Sequence, residues 1–242
     1  MNSFLINSSE IIDSIVTLNN ERAAVFQLRY GFKPGLAKVN RICTVGSELK
    51  LGLRDKCRAI GKVIKSQKDE VKLEIIWKGD APKRVDMTLV VGMCRPQTVK
   101  KVVGLCASFG VSKLVFVETE LGEKGYRDST VWEDGSIARE IDLALEQVWD
   151  VTGCDAVLGG KIKNYLETVV GNIFVADTTD TVQKISSLDF QKSAVIFGPE
   201  AGFSSDERSF FNSLKCIPFY MGERIFRVEH AVGALLGKAL GR

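Results

Sequence analysis

One histidine, His230, occurs in the 242 residues of this chain. That scarcity excludes a histidine-rich metal centre and weakens any serine–histidine–aspartate arrangement. The six cysteines stand at positions 43, 57, 94, 106, 154 and 216, with no CxxC pair among them. Their irregular gaps suit neither a disulfide framework nor a zinc ligand set, so buried thiols and no metal are expected. No apolar run approaches the roughly 20 residues that cross a bilayer. Met1-Asn2-Ser3-Phe4-Leu5 lacks a basic segment ahead of a long apolar stretch, so no signal peptide is expected. These absences point to a cytoplasmic protein with no membrane partner. GxGxxG, GxxxxGKS/T and GxSxG are missing too, which removes the usual supports for dinucleotide binding, a P-loop or a hydrolase elbow.

With 45% hydrophobic and 26% charged residues, the chain has the composition of an ordinary globular protein with a real core. Its net charge of +3 is unevenly spread. Residues 1–80 carry 14 basic and 9 acidic side chains, whereas residues 81–242 carry 19 and 21. Within 22–65, eleven basic residues face only Glu48 and Asp55. Ordinary surfaces mix both signs, so this stretch reads as a phosphate-binding face. From about residue 20 to 78 the pattern is β-rich. Residues 47–53, 57–64 and 71–77 alternate apolar and polar positions between short turns, as in a small barrel. Arg22, Arg29, Lys33, Lys38, Arg41, Lys50, Arg54, Arg58, Lys62 and Lys65 supply the charge. No helical reader of the major groove is apparent, so RNA is the better partner than DNA.

After residue 78 the texture becomes alternating strand and helix. Residues 87–93 form a continuous apolar run, typical of a strand buried on both faces. Pro96 opens a helix with Val99, Val102, Val103, Cys106 and Phe109 on one stripe. Further strands are expected at 114–117 and 172–177. Ser136 caps a helix with Ile137, Ile141, Leu145 and Val148 inward, Ser204 and Glu207 make a capping box, and a last helix spans about Val228 to Leu240. This order predicts a parallel α/β sheet with helices on both faces.

Two glycine-bearing turns then follow two short apolar strands. Ala194-Val195-Ile196-Phe197 runs into Gly198-Pro199-Glu200-Ala201-Gly202. Ile217-Pro218-Phe219-Tyr220-Met221 runs into Gly222-Glu223-Arg224-Ile225-Phe226-Arg227. Glycines at strand ends let a backbone approach a ligand closely, and in α/β sheets ligands bind outside the carboxyl ends of strands. A small molecule wedged between the two turns is the expectation.

These turns, set in this order after a small β-barrel, resemble those of the small-subunit ribosomal RNA uridine-N3 methyltransferases of the SPOUT superfamily. The family pattern is G-P-E-G-G-F/L-S followed by L-G-x-R-I-L-R-x-E-T-A. Ala144-Leu145-Glu146-Gln147 and Phe109-Gly110-Val111 extend the likeness along the chain. The resemblance implies a PUA-like RNA-binding barrel over 1–78 and a methyltransferase domain over 79–242 whose sheet is tied in a trefoil knot. It also implies S-adenosylmethionine as cofactor, a homodimer, and ribosomal RNA or the assembled small subunit as substrate.

Under that resemblance, Val175, Ala176, Phe197, Gly198, Glu200, Ala201, Gly202, Met221, Gly222, Ile225 and Phe226 would surround the cofactor. Arg227 would hold charge developing on the target base and Glu229 would position the cofactor or take a proton. Arg22, Arg29, Lys38, Arg41, Arg58, Lys62 and Lys124 would meet RNA. The chain departs from the family at His230, where threonine is usual, at Ala201, the second glycine of the motif, and at Ser108. Two other readings compete: a non-catalytic ribosome-binding homologue, and an α/β enzyme with a different adenine ligand.

Overall fold

The computed structural model describes residues 3–30, 43–177, 183–185 and 188–240. They divide into two compact units, one reaching to Pro82 and including Leu145–Thr152, the other holding Lys83–Ala144 and the chain from Gly153 onward.

The first unit contains β1 (Phe4–Ile6), β2 (Ile11–Ile12), β3 (Ile15–Asn19), α1 (Asn20–Tyr30), β4 (Glu48–Leu53), β5 (Cys57–Gln67) and β6 (Glu70–Gly79). Its sheet runs β1-β4-β5-β6-β3-β2, antiparallel except where β1 lies parallel to β4. The alternation in the sequence sends Leu49, Leu51, Ala59, Val63, Val71 and Leu73 inward. They share one core with Phe4 and Ile6 from one side of the sheet and Val16 and Leu18 from the other. A core common to both sides requires a curled sheet, so the expected barrel takes the form of a coiled six-stranded sheet. Residues 20–30, read above as part of a β-rich stretch, form a helix instead. Ala23, Phe26 and Tyr30 fall on one helical face and are buried, with Phe26 set 5.1 Å edge-on from Phe4.

The second unit contains β7 (Val85–Gly92), α2 (Pro96–Ser108), β8 (Val111–Glu118), α3 (Ser136–Val148), β9 (Asp155–Lys161), α4 (Ile162–Leu166), β10 (Ile173–Ala176), β11 (Gln183–Lys184), β12 (Ser193–Phe197), α5 (Ser205–Ser213), β13 (Ile217–Tyr220) and α6 (Val228–Leu240). All pairings in its sheet, ordered β11-β13-β10-β12-β7-β8-β9, are parallel. The expected α/β sheet is therefore present, and its central strands bury both faces. Leu89, Val91, Val195 and Phe197 pack with α2 and α6 residues such as Val102 and Leu235. Val90, Ala194 and Ile196 pack with Ile162, Leu166 and Phe211 of α4 and α5. The strand after β12 does not lie beside it: β13 sits beyond β10, and α6 then packs on α2. That crossing is the one implied by the likeness to knotted sheets.

Only the last turn of α3 belongs with the first unit. Leu145 is fully buried as expected, but Val148 is 43% exposed rather than inward. Trp149 takes φ +55°, and Asp150 N–H closes the helix by donating to the Leu145 carbonyl at 3.1 Å. This left-handed stop is normally glycine's position. Gly52 of β4 makes room for the segment, because a Cβ there would lie 3.2 Å from the Asp150 carbonyl oxygen and 3.3 Å from Val151 Cγ1.

Candidate functional site

In the second unit, β10, β12 and β13 end side by side, with Ala176 in register with Phe197 and with Phe219. The turns leaving them enclose a crevice of about 500 Å³. Ala176 and Asp177 line it after β10, Gly198 to Phe203 after β12, and Tyr220 to Gly222 with Arg224 to Val228 after β13. The two glycine turns named from sequence thus meet in one crevice. Gly202 has φ +74° and Gly222 φ +112°, conformations costly for any residue with a Cβ. Ala201 has no such φ, which explains why alanine is accepted there without backbone strain.

Three contacts fix the first turn. Gly202 N–H donates to the Pro199 carbonyl at 2.9 Å. Arg95 N–H, just ahead of α2, donates to the Glu200 carboxylate at 3.2 Å. Ser204 Oγ accepts from Glu207 N–H at 3.1 Å while Glu207 accepts from Ser204 N–H at 2.9 Å, the expected capping box. Glu207 is fully buried, and its other oxygen accepts from Glu120 N–H at 2.8 Å. Asp177, which directly follows β10, is held by Arg208, whose guanidinium donates to both Asp177 oxygens at 2.7 and 3.2 Å and to the Phe203 carbonyl at 2.6 Å. That fork is a charge-assisted bidentate pair.

Sequence reasoning missed Asp177, Arg208 and Gly92. Gly92 closes β7 beneath the first turn. A Cβ on it would lie 2.5 Å from Pro199 Cδ and 2.7 Å from Pro199 N. The seat of the Gly198–Pro199 peptide thus depends on a missing side chain a hundred residues upstream. The G-P-E motif marks the turn but carries no signal for its seat. The paired charges Asp177 and Arg208 stand 31 residues apart and had no local pattern to link them.

Of the expected site residues, Ala176, Phe197, Gly198, Glu200, Ala201, Gly202, Met221, Gly222, Ile225, Phe226 and Arg227 line the crevice. Val175 does not: it is 2% exposed and packs inside the sheet one residue earlier. Arg227 is exposed, and its carbonyl accepts from His230 and Ala231 N–H at 3.0 and 2.9 Å, capping α6. Glu229 also lies outside the lining. It is buried in the first turn of α6, where it accepts from Lys101 Nζ of α2 at 3.0 Å. Burial works to raise its pKa, but its own backbone N–H, Lys101 and His230 together hold it below the usual carboxylate value. His230 faces a shallow groove beside Gly104 and Leu105 of α2 rather than the crevice. Cys94 is buried next to this region, and burial together with the charges of Glu200 and Glu229 pushes its thiol up to about 12.

The described members of the expected RNA-facing set differ in their local partners. Arg22 donates to Glu10 at 2.7 Å and to the Leu5 carbonyl at 2.6 Å. Arg29 donates at 2.6 Å to Glu146, which is only 3% exposed and also accepts from Leu5 N–H at 3.1 Å. Both guanidiniums therefore hold the first unit together. Arg58 donates to the Asp80 carbonyl at 2.7 Å. Lys62 is exposed on the outer face of the sheet, in register with Glu48 and Glu74. Lys124 is exposed in the second unit, on a cavity at the ends of β8 and β9. Lys33, Lys38 and Arg41 lie outside the described residues. Among the described residues no cluster could hold a metal ion, and no helix is long and apolar enough to cross a membrane.

A family model described as the RNA methyltransferase domain matches residues 81–239. Ribosomal RNA small subunit methyltransferase E 1 of Borreliella burgdorferi is 24% identical over 165 residues, covering 65% of this chain and 68% of its own. The ribosomal RNA small subunit methyltransferase E of Treponema pallidum is 24% identical over 155 residues, covering 60% and 58%. Among solved structures, a Legionella pneumophila protein described as a methyltransferase in complex with SAM aligns over 99% of this chain and 96% of its own at 16% identity and TM-score 0.80. A ribosomal RNA small subunit methyltransferase E from Neisseria gonorrhoeae, bound to S-adenosyl methionine, aligns over 96% and 94% at 14% identity and TM-score 0.72. These likenesses show a shared fold. With a match across most of its length and a crevice at the carboxyl ends of a parallel sheet, the chain belongs to the RNA methyltransferase domain family.

Proposed function

We propose that this protein methylates N3 of a uridine in small-subunit ribosomal RNA, with S-adenosylmethionine as donor. The observation that carries this reading is the convergence of two glycine turns on one crevice at the ends of β10, β12 and β13, in a chain of the RNA methyltransferase domain family. The residues present fit such a cofactor. The crevice, about 500 Å³, falls in the ~300–1,000 Å³ range of small-molecule sites, and Gly198, Gly202 and Gly222 in its lining leave main chain uncovered by side chains. Main-chain N–H and C=O groups of Ala176–Asp177, Gly198–Gly202 and Met221–Phe226 would hold the adenosine, and Phe197 and Phe219 would form an apolar floor. Bound there, S-adenosylmethionine supplies an electrophilic methyl group.

The remaining work falls to the chain. Asp177 and Arg208 fix one wall, and Glu200 fixes another by gripping the start of α2. Arg227, exposed at the rim, holds the negative charge that develops on the uracil oxygens as the N3 proton is released to solvent water. Glu229 acts through position: with Lys101 it pins the first turn of α6, directly after Arg227. The N3 edge is a Watson–Crick edge, so the substrate base is unpaired or flipped outward. Relatives' names support ribosomal RNA as the substrate and the small subunit as its context. The protein acts as a homodimer, with the apolar Ile225, 87% exposed, and the α2–α6 groove offered to a second copy.

Two measurements test the proposal. Calorimetry should give micromolar binding of S-adenosylmethionine. Incubation of unmodified small subunits with labelled cofactor should place label on one uridine, identified as the N3-methyl derivative by mass spectrometry of nuclease fragments. Cofactor binding with no transfer to ribosomal RNA, naked or assembled, would overturn the enzyme reading and leave a ribosome-binding homologue.

A further inference from the structure

The first unit carries an aromatic surface that none of the chemistry above uses. On its outer face Lys50, Ile60 and Trp77 stand in one row across β4, β5 and β6. In the next row Arg58 lies between two glycines, Gly52 and Gly79. Gly52 is covered by the Asp150–Val151 segment, whereas Gly79 leaves room on the face for Trp77. A Cβ on Gly79 would fall 2.1 Å from the Trp77 ring, so the six-membered ring of the indole fills the space that a side chain there would need. A register shift between Ile60 and Gly61 marks the same place. Trp149 reaches the cluster from the end of α3, its ring centroid 6.0 Å from that of Trp77. Its Nε1–H donates to the Leu51 carbonyl at 2.9 Å. Lys50 Nζ stands 4.5 Å from the Trp149 centroid and the Arg58 guanidinium 5.3 Å.

One feature sets this cluster apart from a packing contact. Trp77 remains 44% exposed, with Ile76 beside it at 45%. An indole face left open, backed by a second indole and flanked by cations, has the chemistry of a single-stranded nucleic-acid platform. Bases stack on the ring while cations track the phosphates. The charge is suited to that occupant, since Lys50 and Arg58 both stand against the indole pair.

We propose that Trp77 is a stacking platform for one unpaired base of the RNA substrate. Trp149 is its floor, and Lys50 and Arg58 steer the adjoining phosphate. This rests on the reading of the chain as an RNA-modifying enzyme, and it adds an anchoring point carried by the first unit.

The test uses the full-length protein and a fluorescein-labelled ten-nucleotide oligouridine, read by anisotropy over a salt series and by tryptophan quenching. W77A should bind about tenfold or more weakly, the loss expected for one base–aromatic stack. W77F should retain most of the affinity. W77L, which keeps apolar volume without a π face, should behave like W77A and serves if W77A fails to fold. K50A should reduce the salt slope by about one. Affinity in W77A and W77L equal to the parent would overturn the proposal. So would a duplex of equal length that competes as well as the single strand, which would leave a shape-reading surface. G198V, built into the crevice turn, should lose S-adenosylmethionine binding and keep oligouridine affinity. Failure of the methyl-transfer reading is thereby separated from failure of the platform.

Discussion

Replacing Gly92 by alanine tests the crevice through a residue that does not line it. The added Cβ would meet Pro199 Cδ at 2.5 Å, Pro199 N at 2.7 Å and the Gly198 carbonyl carbon at 3.2 Å. Ordinary contact begins near 3.4 Å, so the Gly198–Pro199 peptide must retreat by nearly an ångström. Neither a proline ring nor main chain can swing aside as a long side chain would. Overpacking of this kind costs ~1–3 kcal/mol, or roughly 2–12 °C in Tm at ~2–4 °C per kcal/mol for a chain of this length. The functional loss should be larger. A turn misplaced by this distance should cost about tenfold in S-adenosylmethionine affinity and up to ~100-fold in transfer. Calorimetry, a thermal melt and a labelled-methyl assay read the three effects. Gly237→Ala is the control: a Cβ there meets nothing within 4 Å on the exposed face of α6, so it should stabilise by ~0.5–1 kcal/mol. If G92A binds the cofactor within twofold of the parent and melts within a degree of it, the seat assigned to Pro199 is wrong.

Three further outcomes follow from named contacts. Arg227→Ala should slow methyl transfer ~10²–10³-fold while leaving cofactor affinity within a few-fold, as expected for a charge that acts on the developing anion; single-turnover kinetics beside calorimetry separates the two. Glu146→Ala leaves Arg29 and Leu5 N–H without their buried acceptor and should lower stability by about 2 kcal/mol or more in urea denaturation; an unchanged midpoint would refute that role. Because the pKa of Glu229 is depressed in the folded protein, its pairing with Lys101 stabilises above the ordinary glutamate pKa. That contribution is lost as pH falls through the folded value. Melting curves from pH 7 to pH 3 should therefore fall less steeply for Glu229→Gln than for the parent.

What the sequence discloses depends on how local the physical cause is. The strands β4 to β6 were legible because a half-buried strand imposes period two on consecutive residues, and β7 because burial on both faces leaves an unbroken apolar run. The capping box of α5 and the bounds of α6 were written within a few residues of each element. The helix α1 was not legible. Only Ala23, Phe26 and Tyr30 are buried in it, among charged residues that match the basic stretch that follows. The edge strand β9 hid for another reason. Asp155-Ala156-Val157-Leu158-Gly159-Gly160-Lys161 has no alternation to show, since its outer side is open and Val157 and Leu158 are 37% and 46% exposed.

The same distinction governs the candidate site. Gly198, Gly202 and Gly222 announce themselves because a turn needs them where they stand. Charge behaves differently, since a count of arginines says nothing about their partners. Arg22 and Arg29 raise the basic tally of residues 22–65, yet one is held by Glu10 and the other by Glu146, 117 residues away in sequence. Their removal should therefore act on folding before it acts on RNA. Trp77 carries no charge and was passed over, although it offers an open aromatic face beside Lys50 and Arg58. A basic segment fixes the sign of the partner that is drawn in, through a long-range field that salt screens. Where that partner comes to rest is decided at short range, by the few surfaces that structural ion pairs leave unspent. In the first unit that favours the exposed indole over the arginines.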